Sequence, residues 1–93
     1  MTVIDEIRTK LTRTLSPKRL EIVDESHLHV GHSGAPSNGE SHFRVFVVTS
    51  AFNGITRVER QRMVYRVLAR ELQGPIHALS LATLTPDEDK SGP

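Results

Sequence analysis

The 93-residue chain has no cysteine. That excludes disulfides, thiol nucleophiles and any metal centre built from its own thiolates. An iron–sulfur cluster bound here would draw most of its ligands from elsewhere. Aromatic residues are scarce, at 4%, and form no platform interleaved with the arginines. The usual parts for stacking single-stranded nucleic acid are therefore missing. Charge of one sign does not dominate: the net charge of +1 gives no global pull towards nucleic acid or anionic lipid. No run approaches the roughly 18 apolar residues of a membrane span, and charges punctuate residues 1–15, unlike a signal peptide. The cytoplasm, or an equally reducing compartment without membrane attachment, is the expected setting. There is no HExxH, nucleophile elbow, phosphate-binding glycine fingerprint or paired-carboxylate motif, so an enzyme is not expected.

What the chain does have is histidine in one place. Residues 24–43 read DESHLHVGHSGAPSNGESHF and hold His27, His29, His32 and His42, four of the five histidines. Gly31, Gly34, Pro36, Asn38 and Gly39 mark irregular backbone there. Clustered imidazoles suit metal binding or proton handling, although the spacing matches no standard closed zinc site. Solvated loop histidines without a joint role are the alternative. Asp24 and Glu25 could orient an imidazole or cap the turn.

The rest reads as one small α+β domain with a single modest core. Thr2 caps a first helix over residues 2–15, with Ile4, Ile7, Leu11 and Leu15 at helical spacing. Ser16-Pro17 ends it. Residues 19–24 form a strand, and residues 42–50 form a second whose later half is apolar on both faces, as in a central strand. The two pair as an antiparallel hairpin with a long tip. Thr56 and Glu59 frame a capping box for a second helix running to about Leu72. Gly74 stands where a left-handed C-terminal residue belongs, and Pro75 blocks continuation. A third strand spans residues 76–84. The order is α-β-β-α-β, with the second helix as a crossover that makes strands two and three parallel. Helices then cover one face of a three-stranded mixed sheet. The domain occupies residues 1–86, and residues 87–93 are expected to be a disordered tail.

His77 opens the third strand. It could be a core histidine bonded to a carbonyl. However, parallel neighbours start at the same end of a sheet, and the histidine loop feeds into the start of strand two, so topology brings His77 towards that loop. The second helix carries Arg57, Arg60, Arg62, Arg66 and Arg70. Arg62, Arg66 and Arg70 stand four apart, a stripe that could face phosphates or simply water. Gly31-His32-Ser33-Gly34 matches the GXXG clamp of KH domains in form only, because it falls between strands rather than helices.

The blocks VDES (23–26), HVGHSG (29–34), GESHFRV (39–45), FNG (52–54), RQRMVY (60–65) and IHALSLATLTP (76–86) resemble the BolA family over nearly the whole domain. ESHF and HALSL at this separation, with a helix between, are the most specific. The sequence departs from the family at Arg60-Gln61-Arg62, where members often carry Arg-His-Arg. The resemblance implies a fold similar to class II KH domains and pairing with a monothiol glutaredoxin. The implied role lies in iron–sulfur cluster assembly, trafficking or iron regulation. It implies a [2Fe–2S] cluster shared in the heterodimer, held on the partner side by a glutaredoxin cysteine and glutathione. On this side the implied ligands are His77 and His29, with His32 as the alternative loop ligand, and His42 is structural. The isolated chain would hold no cluster and would be a monomer or weak homodimer. Imidazoles in place of thiolates raise a cluster's potential and make its binding sensitive to mild acid. The competing implication is direct DNA binding in transcriptional regulation, through Arg57, Arg60, Arg62 and Arg66 on the KH-like scaffold.

Overall fold

In the computed structural model the elements run α1 (Val3–Leu15), β1 (Arg19–Asp24), β2 (His42–Val48), a 3-10 turn (Ser50–Phe52), α2 (Arg57–Val67), α3 (Ala69–Gln73) and β3 (Ala78–Leu84). The structure describes residues 2–25 and 42–89. The sheet order is β1-β2-β3. β1 and β2 pair antiparallel, with Arg19 opposite Val48 and Asp24 opposite Phe43. β2 and β3 pair parallel, with His42 opposite Ala78 and Val48 opposite Leu84. The expected α+β topology is the observed one.

Alternation sorts β2 by face. Phe43, Val45 and Val47 are buried and join Ile7, Leu11 and Leu15 of α1 with Val64 and Leu68 in one core. The helices therefore lie on that side of the sheet. Thr2 caps α1 by accepting from the Asp5 N–H at 3.1 Å, and Ser16 closes it in a left-handed conformation at φ 45°.

Thr49 ties α1 to the sheet. Its hydroxyl donates to the Leu15 carbonyl at 2.7 Å and accepts from the Ala51 N–H at 3.1 Å, and the residue is buried. This cap ends β2 at Val48, two residues short of the expected boundary, and starts the 3-10 turn. Thr49→Val keeps the shape and strands both partners. It should cost about 1–3 kcal/mol, read as a lower urea midpoint at unchanged m-value.

Four further boundaries differ from expectation. The second helix bends at Leu68, dividing it into α2 and α3, although no proline or glycine marks the spot. The bend carries Glu71 into the interior, where it meets the Lys10 ammonium at 2.6 Å. Gly74 is not left-handed (φ −113°). Instead the Gly74 and Ile76 N–H groups both donate to the Glu71 carbonyl, at 3.1 and 3.0 Å. β3 begins at Ala78, because Ile76 is drawn into the core before the strand pairs. Finally, the expected tail is fixed through residue 89. Thr85 N–H donates to Glu88 Oε1 at 2.9 Å and Glu88 N–H donates to Thr85 Oγ1 at 3.2 Å, a reciprocal capping box. Asp89 pairs with Arg19 at 3.1 Å. Residues 90–93 lie outside the described residues.

Candidate functional site

The rim where β2 and β3 start is the candidate site. Parallel pairing sets His42 beside Ala78, and His77 precedes Ala78 by one residue. The two imidazoles consequently stand close, with ring centroids 6.0 Å apart and planes tilted by 40°. His77 is exposed and His42 half-buried. His77 therefore does not open the third strand; it precedes β3, whose first residues alternate between exposed and half-buried, and is itself exposed. At the same rim His42, Phe43 and Glu25 line a shallow cleft with Ala78, Leu79 and Ser80. Glu25 is set by its N–H, which donates to the His42 carbonyl at 2.7 Å. Its carboxylate pairs with Arg44 Nε at 3.3 Å.

Of the other sequence-derived ligands, His27, His29 and His32 lie outside the described residues, as does Gly31-His32-Ser33-Gly34. Among the described residues, no three His, Asp or Glu side chains are grouped so as to hold a metal ion. His42 is the last histidine of the cluster singled out in the sequence, and the parallel start that brings His77 towards the loop sets the two side by side.

The arginines of α2 separate into two kinds. Arg57, Arg62 and Arg66 are exposed, and Arg62 pairs with Glu59 one helical turn away. Arg60, expected to face phosphate, is instead 6% exposed and unavailable to it. Its Nε–H donates to the Ile55 carbonyl at 2.8 Å and its Nη1 to the Thr83 carbonyl at 3.0 Å. Nη1 and Nη2 also grip both oxygens of Glu88, at 2.6 and 3.2 Å. A guanidinium this far out of water needs its donors satisfied, and the C-terminal turn supplies the carboxylate. Arg60 in turn holds the Glu88 carboxyl below its ordinary 4.5, at about 2, helped by the Thr85 N–H.

The family model for BolA-like proteins matches residues 11–88. The chain belongs to the BolA-like family. Among BolA-like relatives, human BolA-like protein 1 is 48% identical over 80 residues, covering 86% of this chain and 56% of its own length. The chain thus spans little more than half of that protein. The Escherichia coli DNA-binding transcriptional regulator BolA is 41% identical over 85 residues, covering 91% of this chain and 77% of its own. The solved structure of Arabidopsis thaliana BolA1 matches with a TM-score of 0.84 at 36% identity, over 96% of this chain and 98% of that one. The BolA-like fold is thus shared across its whole described extent. Among the described residues, no helix is long and apolar enough to cross a membrane.

Proposed function

We propose that this BolA-like chain pairs with a monothiol glutaredoxin and supplies imidazole ligands to a [2Fe–2S] cluster shared between them. It would serve iron–sulfur cluster assembly, trafficking or iron regulation in the cytoplasm, without catalysing a reaction itself. Alone it would be a monomer or weak homodimer. His77 is the ligand on the described rim, and His29, or alternatively His32, is the ligand from the loop. The observation that carries the reading is the exposed imidazole of His77 at the start of β3. A ring presented there can meet a partner's iron without disturbing the core, and neutral imidazole is a fitting iron ligand. The cluster supplies the redox-active centre; this chain supplies ligands and a docking rim.

Co-purification with a monothiol glutaredoxin carrying glutathione tests the reading. The complex should show visible absorption and circular dichroism bands that differ from those of the glutaredoxin alone, and His29→Ala should alter them. If His32→Ala alone does so, the loop ligand moves by three residues. Bands identical to those of glutaredoxin alone would count against a shared cluster.

A second reading, DNA binding, is favoured by the E. coli relative and by the exposure of Arg57, Arg62 and Arg66. With Arg60 withdrawn, three arginines remain on α2. Counterion release would then give a slope of log K against log salt no steeper than about −3. Under the cluster reading, gel shifts should fall into the weak nonspecific range near physiological salt. Binding that survives there, and is lost on Arg62→Glu with Arg66→Glu, would favour DNA.

A further inference from the structure

We infer that His42 and His77 form a two-imidazole site that takes one divalent d-block cation, such as Zn²⁺ or Cu²⁺, on the isolated chain. The inference shares His77 with the cluster reading but does not rest on it, because no partner is involved.

The ring separation fits a shared ion. An imidazole nitrogen binds Zn²⁺ at roughly 2.0–2.1 Å, which places the ring centre roughly 3.2 Å from the ion. Two rings on one ion then have centres roughly 5.2 Å apart at the tetrahedral angle and at most roughly 6.4 Å apart in line. The observed 6.0 Å falls inside that window, so the ring separation matches that of two imidazoles on one ion. The two backbones are also pre-placed. His42 is paired in the ladder opposite Ala78, and the turn before His77 is held by the double donation to the Glu71 carbonyl. Little chain entropy is left to lose on binding, which is the condition under which two weak donors act as a chelate. The partial exposure of both rings lets water fill the remaining coordination positions. Imidazole is the common ligand for Zn²⁺, Cu²⁺ and Ni²⁺, whereas Mg²⁺ and Ca²⁺ prefer oxygen.

The loop histidines could bind the same ions, so the test is made in the His27→Ala, His29→Ala, His32→Ala background. Calorimetric titration with Zn²⁺ should give one site, and adding either His42→Asn or His77→Asn should weaken it by about tenfold or more. Ring ¹⁵N shifts answer the same question with both residues intact: His42 and His77 should respond together and saturate at one equivalent. With Cu²⁺, electron paramagnetic resonance should show coupling to two imidazole nitrogens. No binding in the loop-substituted background, unchanged affinity in His42→Asn, or movement of the His77 ring alone would each overturn the site. Failure here leaves the shared cluster untouched, because that reading is judged on the glutaredoxin complex. A lost cluster would likewise leave this titration unaffected.

Discussion

Arg60→Ala should destabilise the fold by about 3 kcal/mol, lowering Tm by more than about 10 °C. Three losses combine. The Ile55 and Thr83 carbonyls lose a charged donor, and leaving such groups unpaired away from water costs about 1–3 kcal/mol. The stem and guanidinium vacate buried space beside Phe52, over whose ring the guanidinium sits at 5.8 Å. The C-terminal turn loses the group that grips Glu88. Arg60→Lys should recover only part of this, because an ammonium cannot reproduce the planar fork. The acid dependence supplies a second signature. The folded Glu88 carboxyl titrates at about 2 rather than 4.5, so its contribution is complete above 4.5 and disappears as pH falls towards 2. The stability gap between the parent and Arg60→Ala should therefore narrow as pH falls through that interval. A constant gap in denaturant midpoints would mean that the ion pair contributes nothing.

His77→Ala should remove the shared cluster's distinctive visible bands while leaving the fold intact. The ring is exposed, so its loss opens no cavity, and thermal unfolding of the isolated chain should be nearly unchanged. A cluster that loses one ligand must find a replacement or dissociate. The complex should lose its cluster bands or revert to those of glutaredoxin alone. Mild acid should bring the parent complex towards the same state, because a protonated imidazole cannot bind iron. Parent-like spectra from the variant complex would remove His77 from the ligand set.

The scaffold was legible because local signals agreed with one another. The Thr2 cap, the apolar spacing of Ile7, Leu11 and Leu15, and the two-faced apolar half of β2 each point to the element that forms. The parallel crossover followed from order alone. The role of Arg60 was hidden because, along α2, it is one arginine among four. What separates it is tertiary, the return of Glu88 after β3. A trace of that did exist in the chain: Thr85-Pro86-Asp87-Glu88 has the capping-box spacing with proline at the first helical position, but polar composition suggested a loose tail. The bend at Leu68 left no mark in the sequence, and neither did the pairing of Glu71 just beyond it with Lys10, 61 residues away. The closeness of His42 and His77 is legible in the chain once β2 and β3 are paired in parallel, because His42 opens β2 and His77 immediately precedes β3.

Labelling settles the central claim most directly. The chain would be prepared with ¹⁵N-histidine, paired with unlabelled monothiol glutaredoxin, and its reduced [2Fe–2S] cluster examined by pulsed electron paramagnetic resonance. The account predicts strong nitrogen couplings that convert from ¹⁴N to ¹⁵N patterns with the label on this chain, and that disappear in His77→Ala. A cluster whose couplings are indifferent to that label would contradict it.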